Sequence, residues 1–198
     1  MIHPISCSCG KLKGTLELNN GLNRAVCYCH DCQAFARFLQ REAQVLDSRG
    51  GTDIVQTIPK NLRFTEGIEQ LACMRLSDKG LLRWYARCCN TPIGNTAPNY
   101  QMSFVGLVHN CLGSAHTPLE QTFGPIGTRV YTQCAIGEPK PKAFGLPSTM
   151  LRIIARLIRA RLNGSYKHTP FFIPGSNRPI VEPRVLSAEE RAGLMATV

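Results

Sequence analysis

The sequence predicts a mainly β domain carrying zinc sites, followed by a C-terminal helical and irregular extension. Three observations point there. Short runs over the first 110 residues read as strands between turn signals, and residues 11–18 alternate apolar and polar side chains with period two, the pattern of a half-buried strand. Seven of the ten cysteines fall in three tight clusters, at Cys7-Ser8-Cys9, Cys27-Tyr28-Cys29-His30-Asp31-Cys32 and Cys88-Cys89. After about residue 112 the strand pattern gives way to Gly, Pro and Thr, and then to one run at helical spacing. We therefore divide the chain into a zinc-binding domain at 1–112 and an extension at 113–198. At 198 residues, 43% hydrophobic and 18% charged, the length suits one ordinary domain with an addition.

In chain order, residues 11–18 place Leu12, Leu16 and Leu18 on one face and Lys11, Lys13, Thr15 and Glu17 on the other. Asn19-Asn20-Gly21 reads as a turn, because Asn and Gly tolerate positive φ. Residues 22–28 then form a second strand that ends at Cys27. A hairpin here would lay the strand after Cys9 beside the strand leading to Cys27. Residues 33–41 fit a short helix or a strand. Residues 52–58 and 61–65 read as strands around Pro59-Lys60, and 69–76 with 81–87 as a hairpin across Ser77-Asp78-Lys79-Gly80. Residues 102–108 make a further strand.

The extension contains one clear helix at 148–163, between the cap Ser148-Thr149 and the stop Asn163-Gly164. Leu151, Ile154, Leu157, Ile158 and Leu162 share one side, with Arg152, Arg156 and Arg159 opposite and Arg161 nearby. The expectation is a helix packed on the β body by its apolar side, with its arginines in water. The sharper alternatives are a nucleic-acid or anionic-membrane surface, or a wall of a substrate pocket. Residues 165–198, proline-rich and carrying Phe171-Phe172, read as an arm with a last short helix from Ser187.

The net charge of +10 favours anionic partners: nucleic acid, anionic lipid, or a small thiol bearing carboxylates. No apolar run approaches the roughly 20 residues a membrane span needs. Met1-Ile2-His3-Pro4 lacks the charged and apolar regions of a secretory signal. A cytoplasmic location is the expectation, and there clustered cysteines mean metal or reactive thiols more often than disulfides. Cys73, Cys111 and Cys134 stand alone and read as buried small hydrophobes.

Two metal sites follow from the clusters. Cys7 and Cys9 with Cys88 and Cys89 would give a tetrahedral zinc site that staples remote strands. Cys27, Cys29 and Cys32 offer three protein ligands, the arrangement that leaves zinc open to a substrate. Three thiolates leave the ion with a charge of about −1, better suited to a soft thiolate than to activating water. Alternatively His30, Cys88 or Cys73 closes this site. The cofactor expectation is one or two Zn2+.

At these residues the chain resembles the glutathione-dependent formaldehyde-activating and centromere-protein-V family. The C-x-C motif, then C-x-C-x-x-C beginning 18 residues after its second cysteine, then Cys89-Asn90-Thr91-Pro92, carry the resemblance over about residues 3–110. Val105-Gly106-Leu107 is similar to the family's closing strand. The resemblance implies an Mss4-like fold of coiled β-sheets. It also implies structural zinc ligands at Cys7, Cys9 and Cys89 and a catalytic trio at Cys27, Cys29 and Cys32. The reaction it implies is carbon–sulfur lyase chemistry, joining or splitting the bond between glutathione and formaldehyde. Arg24 and Arg37, flanking the trio, would hold glutathione carboxylates, and His30 would orient a ligand or shuttle a proton. Two positions depart from the pattern: Asn90 replaces a glycine, and Ala86 stands where the first cysteine of a C-x-x-C belongs. Cys88 then either substitutes at the structural site or closes the trio. If it closes the trio, the alternative function is a non-catalytic zinc module that binds nucleic acid or a protein partner through its basic surface.

Overall fold

The computed structural model describes residues 1–18, 22–113 and 118–195, and its architecture is mainly β. A three-stranded antiparallel sheet is formed by β1 (Ile2–Ser6), β2 (Lys13–Glu17) and β5 (Leu62–Glu66), with β2 central. The second sheet has eight strands in the order β10-β3-β4-β9-β8-β7-β6-β11. These are β3 (Asn23–Cys27), β4 (Thr52–Thr57), β6 (Leu71–Arg75), β7 (Leu82–Ala86), β8 (Thr91–Thr96), β9 (Val105–Val108), β10 (Thr128–Val130) and β11 (Arg184–Val185). Its inner pairs are antiparallel, while β10 on β3 and β11 on β6 are parallel additions at the two edges. Among the described residues five α-helices complete the fold: α1 (His30–Phe38), α2 (Glu42–Val45), α3 (Leu119–Phe123), α4 (Leu146–Leu162) and α5 (Ala188–Met195).

The two sheets enclose the main core. Leu12, Leu16 and Leu62 from the small sheet meet Val55, Leu71, Trp84, Ile93 and Leu107 from the large one, all buried. The hairpin of β6 and β7 forms as its alternation requires, with Leu82, Trp84 and Ala86 turned to this core. The indole Nε1–H of Trp84 donates to Thr96 Oγ1 at 3.0 Å, which satisfies its one polar atom in the core. On the other face, Ala34 and Phe35 of α1 and Leu39 at its C-terminal cap pack with Met74, Leu76 and Leu186. Residues 33–41 are thus mostly helix.

One expected neighbour relation is corrected. β2 does not lie beside β3; the two belong to different sheets. Both edges of β2 are taken by β1 and β5, and Leu12 and Leu16 reach full burial only between the sheets. Gly14 permits this approach, since a Cβ there would stand 2.4 Å from the Arg63 carbonyl oxygen and 3.1 Å from the Ile5 side chain. The expected turn at Asn19-Asn20-Gly21 lies outside the described residues.

The segments after residue 112 are woven into the same body. β10 and β11 extend the large sheet, α5 packs on α1, and Phe171 sits fully buried against Trp84 at a ring separation of 4.9 Å. A second expectation fails at α4. The helix forms, but its apolar side faces outward: Leu151 is 70% exposed, Ile158 55% and Leu162 84%. It docks instead through its small residues. Thr149 and Ala160 are buried, Thr149 and Thr128 share a hydrogen bond between their hydroxyls, and Gly145 at the helix start lies against the Gly127 backbone. Small side chains bring the helix axis close to the sheet, which a stripe of Leu and Ile would hold away.

Candidate metal centres

The outer cluster joins the two sheets. Cys7 and Cys9 lie in the turn between β1 and β2, and Cys88 and Cys89 in the turn between β7 and β8. Their four sulfurs all lie within 4.8 Å of one another. Cys88 Sγ is 3.3 Å from Cys9 Sγ, 3.7 Å from Cys7 Sγ and 3.8 Å from Cys89 Sγ; Cys7 and Cys9 are 3.5 Å apart. A tetrahedron with Zn–S bonds near 2.3 Å has S–S edges of about 3.8 Å, so this set can hold a metal ion with little adjustment.

Local sequence explains the convergence. Asn90 adopts a left-handed φ of 53°, and the Cys89 N–H donates to the Ala86 carbonyl at 3.3 Å, so the chain folds back tightly enough for adjacent cysteines to share one centre. Ala86 is fully buried on the core face of β7, so position 86 serves packing and Cys88 joins the metal set. The Ser8 N–H donates to Thr91 Oγ1 at 3.0 Å, and the Thr91 hydroxyl donates to Ser8 Oγ at 2.9 Å, tying the two turns together. Arg41 donates to the Cys89 carbonyl. Burial pushes the Cys89 thiol up, yet hydrogen bonds from the Ser8 and Thr91 side chains outweigh it and lower the group to about 5. At least one ligand is thereby held as thiolate in advance of the metal.

The trio stands at the junction of β3 and α1. Cys27 ends the strand, Cys29 caps the helix, and Cys32 occupies its first turn, its N–H bonded to the Cys29 carbonyl at 3.0 Å. The three sulfurs also lie within 4.8 Å of one another, so this set too can hold a metal ion. Among the described residues no fourth Cys, His, Asp or Glu joins them at that range. Cys88 belongs to the outer set, Cys73 is buried in the core between the sheets, and His30, exposed next to Cys29, is not among the converging ligands. Ile54 and Val130 pack against the sulfurs and give the site an apolar wall.

Electrostatics at the trio are uneven. Hydrogen bonds from the Cys27 and Cys29 thiols hold Cys32 well below the ordinary thiol range, and the Arg83 guanidinium beside it adds to the effect. Cys27 is pushed up by its bonds to Cys29 and Cys32 and by burial. The trio therefore favours negative charge at Cys32 over Cys27, and ionising all three sulfurs calls for a cation among them.

Arg83 is the residue that sequence reasoning missed. It is 3% exposed, donates to Asn95 Oδ1 at 3.2 Å, lies 3.7 Å from an Asp31 carboxylate oxygen, and sits over the Phe35 ring at 5.4 Å. Its alternation against Leu82 and Trp84 on β7 was the available signal, since an arginine on a strand with both faces buried must serve an internal anion. The arginines chosen by sequence proximity are engaged elsewhere. Arg24 grips Asp53 through Nε and Nη2 at 2.6–3.1 Å, and Arg37 binds Glu42 and the Leu194 carbonyl. Of the lone cysteines, Cys73 and Cys111 are buried as expected, with burial raising each to about 12, while Cys134 is only half-buried.

Fold and site together define a mainly β protein with two cysteine clusters, each able to hold a metal ion. The chain belongs to a family of unknown function (DUF6151), whose model matches residues 1–182. No curated protein matches it. Among solved structures it is similar to a Rhodobacter sphaeroides protein determined as a structural-genomics target, with 17% identity and a TM-score of 0.42 over 62% of this chain and 96% of the other.

Proposed function

We propose that this chain is a zinc-dependent carbon–sulfur lyase-type enzyme built on an Mss4-like domain, acting on the adduct of an aldehyde with a small thiol such as glutathione. One observation carries the reading. Cys88 completes the outer set with Cys7, Cys9 and Cys89, which leaves Cys27, Cys29 and Cys32 as a three-sulfur group that no fourth Cys, His, Asp or Glu joins among the described residues.

All-sulfur sets of this kind suit zinc. Cys7, Cys9, Cys88 and Cys89 would hold a structural ion, and Cys27, Cys29 and Cys32 a second. Bound at the trio, zinc would supply a soft fourth position that lowers the pKa of an incoming thiol. The chain's own groups do the rest. Hydrogen bonds from Cys27 and Cys29, with Arg83 beside them, favour the ionised form of Cys32, and Ile54 and Val130 form an apolar wall at one side of the trio. In the forward direction the substrate thiol gives up its proton, its sulfur attacks the aldehyde carbon to form the C–S bond as the C=O π bond opens, and the resulting alkoxide oxygen takes up a proton. The reverse reaction splits that bond and returns the proton. His30, exposed next to Cys29, is the group at hand to move it.

The experiment is NMR exchange between glutathione, formaldehyde and their hydroxymethyl adduct, with and without enzyme holding two zinc ions. The reading requires acceleration over buffer by tenfold or more, lost in Cys29→Ser. Exchange at the buffer rate with both metals in place overturns it.

A further inference from the structure

Helix α4 presents two features that no packing in the fold accounts for. Its outward crest, Leu151, Ile154, Ile158 and Leu162, runs at spacings of three and four along about 17 Å of helix and is 47–84% exposed throughout. On one shoulder of that crest Arg152, Arg156 and Arg159 face a cavity of about 550 Å³, closed on the body side by Lys60, Asn61 and Ser165.

The cavity is built for an anion. None of its four cations makes a side-chain hydrogen bond or ion pair among the described residues, and the helix contains no acid. Burial and the neighbouring Arg152 both lower Arg156, as crowded cations without a counter-charge do. At the cavity floor Asn61 and Ser165, 3% and 7% exposed, leave Asn61 Oδ1 and Ser165 Oγ without partners. Arg161, on the other shoulder, lies over the Tyr166 ring.

We propose that α4 is a peripheral membrane-binding helix: its crest enters the headgroup–acyl boundary of an anionic bilayer while Arg152, Arg156, Arg159 and Lys60 take lipid phosphates. An apolar crest between basic shoulders is what a helix lying in that interface requires. The helix is too short and too charged to cross a bilayer. A polynucleotide would match the arginines but leave the crest in water. A second copy would cover the crest but bring two unneutralised arginine rows together. The bilayer satisfies both features at once.

The test is co-sedimentation of the full chain with vesicles of phosphatidylcholine alone and of phosphatidylcholine mixed with phosphatidylserine, at low salt. Two variants accompany it, Leu151→Asp/Ile158→Asp and Arg152→Ser/Arg156→Ser/Arg159→Ser, with circular dichroism confirming that each retains the wild-type fold. The wild type should pellet with the anionic vesicles and not the neutral ones. At about 1 kcal/mol for each arginine near the surface, the triple variant should bind on the order of a hundredfold more weakly, and the crest variant at least tenfold. A wild type that ignores anionic vesicles overturns the proposal, as does a crest variant that binds them equally well. A parallel thermal-shift arm with inorganic pyrophosphate separates the sources. Stabilisation by pyrophosphate without vesicle binding would mark a small-molecule pocket, and crest-dependent dimers without vesicle binding would mark self-association; either result overturns the membrane assignment.

Discussion

Cys88 Sγ lies 3.3 Å from Cys9 Sγ, across the gap between the two sheets. That contact decides the role of both clusters. It gives the outer site four sulfurs, and it leaves the trio with three.

The outer cysteines should therefore be structural. Cys88→Ser removes a ligand that links the β1–β2 turn to the β7–β8 turn, and metal affinity there is folding free energy. We expect Cys88→Ser and Cys89→Ser to lower the melting temperature by 10 °C or more and to lose one metal per chain, measured by calorimetry and elemental analysis. A strong chelator should reproduce the loss in the wild type.

Arg83 should act through Cys32. Arg83→Met keeps much of the side-chain volume but removes the buried charge beside the thiolate and the bond to Asn95. Metal affinity at the trio should fall by about 10- to 100-fold, the usual effect of losing an outer-shell partner. Competition with a chromophoric chelator measures it. Arg83→Lys should restore part of the affinity, a rescue that a purely packing role would not give.

Arg24 should serve the fold alone. It holds Asp53 across the β3–β4 pair with both groups largely buried, at 12% and 18% side-chain exposure. Arg24→Gln is expected to cost about 1–3 kcal/mol in urea unfolding while leaving the apparent affinity for glutathione unchanged. A loss of thiol affinity without a loss of stability would restore Arg24 as a ligand contact.

The segment after residue 112 should be required for the main core. Phe171 is fully buried against Trp84 and Phe64. Phe171→Ala is expected to destabilise the whole protein by about 3–5 kcal/mol, the range for deleting a buried aromatic side chain. Denaturant unfolding followed by Trp84 fluorescence should show this as one cooperative transition.

Much of this was legible in the residues. Alternation announced β2, and short apolar runs between turn residues announced β3, β4, β5, β6, β7 and β9. β8 escaped notice because Thr91-Pro92-Ile93-Gly94-Asn95-Thr96 is buried on both faces and shows no alternation. β1 was similarly quiet, and the two parallel edge strands are too short to carry a period. The cysteine clusters stood out through their spacing, but spacing alone left Cys88 with two destinations; the left-handed turn at Asn90 settled which one it takes. Arg24 and Arg37, expected from their nearness in sequence to hold glutathione carboxylates, are engaged elsewhere, whereas the cation beside Cys32 is Arg83, 51 positions further on. The helix at 148–163 was placed correctly and faced wrongly, since hydrophobic periodicity reveals a stripe without saying what covers it.

The most direct test of the open trio is zinc K-edge X-ray absorption on the protein holding two zinc ions, before and after adding glutathione. Four sulfurs at one site and three at the other give an average of (4 + 3)/2 = 3.5 sulfurs per zinc. The account predicts that average without thiol, with a light atom completing the trio, and a rise to four when glutathione binds. Four sulfurs per zinc from the outset, unchanged by glutathione, would contradict it.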